Sequence, residues 1–454
     1  MIDTKTAKVR FLSLAFRGAL VDYPRKEKQN AALDKLHKAQ RVFLPVSESE
    51  HLINIPSYWN WSRLGYVTNN HGQTVPSEDF CYIDVGTLDN VHQRLAETEN
   101  LVAAKDAPSR ARKVVRLGDV LYSTVRPYLH NICIVDREFS RTPIASTAFC
   151  VMQVNDGVLL NRFLFYWLLT VEFDGYSNGD SSKGTLYPAI GEKDLLRGVI
   201  PIPPLEEQAI IVEKIDAAFS ALDTIDALQT QYVDNLTVLK SKLIEAAIQG
   251  KLTKQLPEDG TAEDLYRQIQ AEKQTLIQAG KMKKRKPLPA LADGNVPFEI
   301  PSNWKWVRLA NICYGIGAGG DKPDDFVAIK DNEHPVPVVA NGVSNDGIIG
   351  YTATATAPAN TITVAGRGTI GFPCYRNYDY CPVVRLIVIL PSVLITPLYL
   401  YYVFRGLPAD SVGSSIPQLT VPMVNPKMIP LPPLAEQKRI VAKLSELLPL
   451  CETR

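Results

Sequence analysis

The chain has 454 residues, 46% of them apolar, and carries 49 basic against 48 acidic side chains, for a net charge of +1. That length suits two to four domains of roughly 150 residues, and the balanced charge supplies no molecule-wide field to attract a polyanion. Seven scattered cysteines without zinc spacing read as reduced structural thiols of a cytoplasmic protein, no apolar run reaches the length of a membrane helix, and the N-terminus lacks the order of a signal peptide.

Residues 1–50 read as helical. Val9, Leu12, Phe16 and Leu20 share one face, and Ala32, Leu36, Ala39 and Phe43 continue the spacing in a more polar second helix. At IPSYWNWSRL (55–64) aromatics and turn formers replace that period, and the chain to about 200 reads as short strands and loops. LGDVLYSTVRPYLHNICIV (117–135) is a hairpin, TPIASTAFCVMQV (142–154) one strand and LLNRFLFYWLLTVEF (159–173) one buried helix, giving an α+β domain. From Leu205 to Gln249 apolar residues recur at Ile211, Ile215, Ala218, Leu222, Ile225, Leu228, Tyr232, Leu236, Leu239 and Leu243. These steps of three and four predict one helix of roughly 65–70 Å with a continuous apolar stripe. Glu206 and Glu207 complement its N-terminus and Gly250 ends it. A shorter helix (261–280) and a basic, proline-containing linker (281–294) follow. The second strand-rich segment contains a hairpin at 361–375 and a buried helix at 395–407.

The chain repeats itself. IPSNWKWVRL (300–309) restates IPSYWNWSRL, IPLPPLAEQ (429–437) restates IPIPPLEEQ (200–208), and IEAAIQGKL (244–252) matches LSLAFRGAL (12–20) more faintly. The expected architecture is α+β: two pseudo-repeated recognition domains separated by long antiparallel, coiled-coil-like helices in a circular, pseudo-two-fold organisation. Its segments are 1–50, an N-terminal helical piece completing the second conserved region; 51–204, the first domain; 205–299, the long helix and linker helix; 300–433, the second domain; and 434–454, the start of the second long helix. Leu434–Arg454 corresponds to Leu205–Ile225, and the N-terminal segment resumes where that copy stops. The chain's ends are therefore expected to compose one partner for the long helix. Ile211, Ile215, Leu222, Leu236 and Leu243 are the candidates for helix packing or subunit binding.

Motifs of catalysis are missing. There is no phosphate loop, no HExxH and no GxSxG, and the glycines of GIGAGG (315–320) lack dinucleotide-binding spacing. The expectation is a non-catalytic chain with no metal and no bound cofactor. Two similar domains held apart by a rod suit an extended ligand with two separated sites, as duplicated DNA readers do. KDAPSRARKVVR (105–116) reads as an exposed basic loop in which Arg110, Arg112, Lys113 and Arg116 reach DNA. Arg126 and Arg367 occupy comparable hairpins, and Asn341 and Tyr351 precede the second of them. Ser181, Ser182 and Lys183 form a polar loop whose counterpart holds Ser411, Ser414 and Ser415. KMKKRK (281–286) is a further basic run. Trp59, Trp61, Trp304 and Trp306, in matching contexts, read as packing residues.

IPIPPLEEQ, IPLPPLAEQ, the block from GKLTKQLPEDG to IPSNWKWVRL, and the segments ANGVSNDGIIGY and TITVAGRGTIG together resemble the specificity (S) subunit of type I restriction-modification systems. The resemblance covers nearly the whole chain. It implies a DNA-specificity subunit that reads a bipartite double-stranded target, one domain per half-site, with helices that set the gap and bind two modification (M) subunits. Those partners carry adenine-N6 methylation with S-adenosylmethionine, and two restriction (R) subunits add ATP- and Mg2+-dependent translocation and cleavage. The alternatives left by the residues are a partner-binding scaffold without DNA recognition and a stand-alone restriction enzyme.

Overall fold

The computed structural model describes residues 1–22, 31–39, 43–179, 182–183, 188–284, 296–407 and 418–452, with backbone alone at 31–32, 38–39 and 182–183. The chain divides into two compact units, Met1–Gln229 and Thr230–Arg454.

In the first unit, α1 (Thr4–Phe16) starts at Asp3, whose carboxylate accepts from Thr6 N–H. It buries Leu12, Ala15 and Phe16. Val9, expected on the same face, is exposed. After α2 (Ala31–Ala39), β1 (Asn60–Arg63), α3 (Leu64–Val67), β2 (Thr68–Asn69), β3 (Phe80–Ile83) and the short β4 (Leu88–Asp89) and β5 (Arg94–Leu95) come β6 (Leu101–Val102), β7 (Ala111–Val114), β8 (Val120–Ser123), β9 (Ile132–Ile134), β10 (Pro143–Ser146) and β11 (Phe149–Val154). Eight of these strands form two four-stranded sheets, ordered β2-β11-β8-β9 and β6-β3-β10-β7, and β4 pairs with β5. The stretch 142–154 is therefore two strands in different sheets, because the chain turns at Thr147 and Ala148, where Ser146 Oγ accepts from Ala148 N–H. The single helix expected at 159–173 is also two, α4 (Asn161–Leu168) and α5 (Val171–Asn178), since Thr170 caps the second through Phe173 N–H. The hairpin β12 (Ser182–Lys183) and β13 (Ala189–Ile190), then α6 (Glu192–Arg197) and β14 (Val199–Ile202), lead into α7 (Leu205–Ile248).

The second unit repeats this plan. It contains α8 (Ala262–Gln278), β15 (Lys305–Arg308), β16 (Cys313–Ala318), β17 (Val336–Val339), β18 (Ile348–Thr352), β19 (Thr361–Val364), β20 (Pro373–Arg376), β21 (Cys381–Pro382), β22 (Ile387–Pro391), α9 (Pro397–Gly406), α10 (Val421–Val424), β23 (Met428–Leu431) and α11 (Leu434–Leu447). One sheet runs β16-β22-β19-β20, the same order as β2-β11-β8-β9. The other, β18-β17-β21, matches β6-β3-β10, including one parallel pair in each. Strand β7, the seat of the basic run, has no counterpart among the described residues.

The repeated segments fold onto one another. In each unit the tryptophan-bearing strand pairs antiparallel with the proline-bearing one, β1 with β14 and β15 with β23. Trp59 Nε1 donates to Glu207 at 3.1 Å, and Trp304 Nε1 donates to Glu436 at 2.8 Å. Gln208 accepts from Leu160 N–H and donates to Val158 and Pro203 carbonyls. Gln437 accepts from Thr396 N–H and donates to Pro432. All four of these glutamate and glutamine residues are fully buried. The faint third repeat has the same logic. Gly18 (φ +72°) and Gly250 (φ +71°) end α1 and α7 in left-handed conformations, each against a proline, Pro56 or Pro301, with 2.4 Å between that ring and an added Cβ.

Each unit also pairs its part of α7 antiparallel. Thr4 Oγ1 donates to Asp226 at 3.0 Å while Lys8, further along α1, pairs with Asp223. At the other end, Glu436 accepts from Thr253 and Gln255 whereas Glu452 meets Lys240 at 3.5 Å.

Gly250→Ala is expected to destabilise the second unit by about 1–3 kcal/mol, through a strained φ and the clash with Pro301; urea denaturation of the full chain reads this. Burial raises the pKa of Glu207, with Tyr58 and Trp59 hydrogen bonds opposing it. Stability from its retained proton is present below about 4.5 and is lost as pH rises through the raised value. Glu207→Gln should remove that segment of the pH–stability curve.

Candidate nucleic-acid interface

The basic run is not a loop. Arg110 is an exposed turn residue, and the next residues enter β7, where they alternate between faces. Lys113 falls on the buried face, and its Nζ donates to Glu192 Oε2 at 2.6 Å. Its side chain is 8% exposed, so it is a structural ion pair and not a free cation. Nearby Cys150 has its thiol pushed up by burial. Arg112 is half-buried, with Nη1 donating to the Ala111 carbonyl. Arg116 is exposed just beyond the strand, its backbone N–H held by Asp119.

Arg126 and Arg367 do occupy matching places. Each stands three residues past the end of a corresponding strand, β8 or β19, in the loop to β9 or β20. In the first unit this loop gathers three others. Thr124 N–H donates to Ala148 at the β10–β11 corner, Thr147 N–H at that corner donates to Arg110, and Arg126 N–H donates to Pro188 beside β13. The β12 backbone bearing Ser182 and Lys183 pairs with β13. One end of this domain thus assembles Arg110, Arg126 and the β12–β13 strand pair from distant parts of the sequence. Ser181, Ser411, Ser414, Ser415 and the end of KMKKRK lie outside the described residues.

In the second unit the corresponding corner is a tight turn, Val383–Leu386, closed by Leu386 N–H to Val383 O at 3.1 Å. Its central residues, Val384 and Arg385, both have positive φ, +54° and +63°. Sequence reading passes over it because such turns are signalled by Asn-Gly or Asp-Gly, and Val-Arg gives no such signal. Asn341 braces this turn against the Arg367 loop. Its Nδ2 donates to Val384 O at 2.7 Å, and its Oδ1 accepts from Gly366 N–H at 2.8 Å. Asn341 is therefore engaged with backbone on both sides. Arg367 and Arg385 are exposed on the two braced loops, and Arg367 Nη2 donates to Gln418 at 3.3 Å. Tyr351 is half-buried in β18, its backbone paired with Val327, away from these bonds.

On α7, Ile211 and Ile215 are fully buried in the first unit's core, so they pack intramolecularly and present nothing to a partner. Leu222, Leu236 and Leu243 are half-buried. The apolar stripe is not continuously covered: Leu228, Tyr232 and Leu239 are exposed. All seven cysteines are unpaired and buried. No described helix is long and apolar enough to cross a membrane.

Two corresponding domains, each offering arginines on a braced corner, define a duplicated recognition protein. Residues 59–231 and 301–452 both match the family described as type I restriction modification DNA specificity domain. These matches cover most of the chain, which belongs to that family. The chain is 23% identical, over 98% of its own length and 89% of the relative's, to the type I restriction enzyme EcoAI specificity subunit of Escherichia coli. It is 25% identical to the EcoEI specificity subunit of the same organism, over 69% and 63% of the two chains. Among solved structures, the HsdS subunit from Thermoanaerobacter tengcongensis superposes with a TM-score of 0.58 at 24% identity, covering 89% of this chain and 92% of that one. A chain from a structure on complex assembly and conformational transition of a type I R-M system gives 0.66 at 24% identity, covering 87% and 90%.

Substituting Lys113 by Ala should lower thermal stability by removing its ion pair with the partly exposed Glu192, by about 1 kcal/mol. Arg110→Ala, at an exposed turn, should leave melting unchanged.

Proposed function

We propose that this chain is the DNA-reading subunit of a type I restriction-modification complex, with each domain reading one half of a bipartite duplex target. The observation that carries this is the duplication of the whole specificity domain with its arginine-bearing corner, in a chain whose net charge alone would not hold DNA. Exposed Arg110, Arg367 and Arg385, with half-buried Arg126 beside the first of them, suit phosphate neutralisation and contact with base edges. Half-buried Arg112 and the β12 residues Ser182 and Lys183 flank the first corner as secondary contacts. Lys113 is left out because it is already paired, and Tyr351 because its strand is not part of the corner.

The chain itself is a non-catalytic reader in this account. Two M subunits supply adenine-N6 methylation with S-adenosylmethionine, and two R subunits supply ATP- and Mg2+-dependent cleavage, in the cytoplasm. The exposed Leu228, Tyr232 and Leu239 of α7 are the apolar residues available for those partners. The spacer between half-sites is set by the helices.

Mapping methylated adenines across host DNA by single-molecule sequencing, with and without this gene, tests the reading. A bipartite motif that disappears on deletion is expected. Its persistence, with the partners expressed, would leave a scaffold without DNA recognition. Arg110→Glu and Arg116→Glu should weaken binding of the assembled complex across all sequences, and each should lower the slope of log K against log salt by about one.

A further inference from the structure

We infer that the Val383–Leu386 turn is a base-reading element, with Arg385 its specificity-determining side chain and Asn341 a positioning residue behind it. The inference rests on the DNA-specificity reading above and adds to it one residue and one role.

A turn with two consecutive left-handed residues is undemanding for Asn-Gly and costly for a β-branched residue, because Cβ crowds the backbone there. Val384 is held in that region by its surroundings. Its N–H donates to Gly320 O at 2.9 Å, and its carbonyl accepts from Asn341 at 2.7 Å. On the flanking strands, Gly319 N–H donates to Leu386 O at 2.7 Å and Val383 N–H to Val339 O at 2.9 Å. Close approach is built in as well. A Cβ on Gly319 would lie 2.6 Å from the Pro382 carbonyl carbon, and one on Gly366 would lie 3.2 Å from the Arg385 carbonyl oxygen. Strain that is fixed from several sides at an exposed position is the pattern of a functional turn rather than of a solvated connection.

What the turn presents is a guanidinium. Arg385 is exposed, and its side chain has no hydrogen-bond or ion-pair partner among the described residues, although its backbone N–H donates to Gly319 O at 3.3 Å. Asn341 ties this backbone to the loop of Arg367, so the two arginines start from one braced support. The corresponding corner of the first domain also receives a second arginine, Arg110, carried in by the extra strand β7. Each domain therefore pairs the arginine of its β8–β9 or β19–β20 loop with another at the neighbouring corner. A phosphate accepts a cation over a wide range of approach. A guanine edge is matched best by two donors in a set plane; a guanidinium on a rigid support offers that fork pre-organised, whereas the flexible ammonium of lysine holds it less specifically.

The test uses the complex of this chain with its modification partner. Its methylation motif is mapped first, and binding is then measured on duplexes carrying each single base change. Arg385→Lys is expected to lose about tenfold or more of the discrimination at one base pair of one half-site, with the salt slope unchanged. The other half-site, read as before, reports that the variant folds and assembles. Asn341→Ala should relax the same base pair, with Arg385 still in place. Unchanged discrimination at every position in Arg385→Lys and Arg385→Ala would overturn the inference. So would a uniform loss across sequences with a lower salt slope in Arg385→Ala, which marks a phosphate contact. A wild-type complex with no bipartite motif would instead overturn the specificity reading, and this inference with it.

Discussion

A carboxyl group buried at the start of a helix costs free energy unless hydrogen-bond donors meet it. Glu207 and Glu436 are met by the indole N–H of the tryptophan immediately before the strand that opens the same domain. Much of the architecture hangs on that bond. It joins the first and last strands of each domain to the helix that follows, while the adjacent glutamine secures the segment that begins α4 or α9. Leaving such a buried group without its partner costs roughly 1–3 kcal/mol, and the geometry of the bond fixes the domain on the helix. The glycine closing α1 or α7 then lets the proline of the same motif approach within contact distance. Three repeated sequence motifs are thus one structural joint, built twice.

The joint is buried and its polar groups are hydrogen-bonded within the core; the recognition corners are built at the surface. They lie where loops of one sheet meet the turn between β10 and β11 or between β21 and β22, and they are held by hydrogen bonds to backbone groups. The two domains reach a similar corner differently. One adds strand β7 and brings Arg110, at the cost of burying Lys113 and pairing it with Glu192. The other forces Val384 and Arg385 into a left-handed turn and secures it with Asn341. Divergence at corners on a shared frame is what a family of readers with different targets requires, since base choice is a matter of side-chain placement.

Some of this was legible in the residues. The steps of three and four over 205–249 marked α7, whose observed range is Leu205–Ile248. The repeats marked the duplication, and Arg126 and Arg367 were rightly placed in comparable loops. Elsewhere periodicity misled. The charge of residues 105–116 suggested a loop, but alternation along β7 buries Lys113 and leaves its neighbours Arg112 and Val114 half-buried. The apolar run 142–154 looked like one strand because buried strands on either side of a tight turn have the same composition. Asn341 was seen as a contact, whereas both ends of its amide are used by backbone.

What the sequence by itself determined is the repeating frame: local periodicity, caps and the recurrence of tryptophan, proline, glutamate and glutamine at fixed order are properties of neighbouring residues. What only the tertiary structure decided is which cations are free and where they gather. Lys113 is neutralised by a glutamate 79 residues away, and Arg385 is presented by a turn whose conformation is imposed by Gly319, Gly320 and Asn341. Those partners are remote in the chain and meet only when the sheets close, so no local signal could carry them.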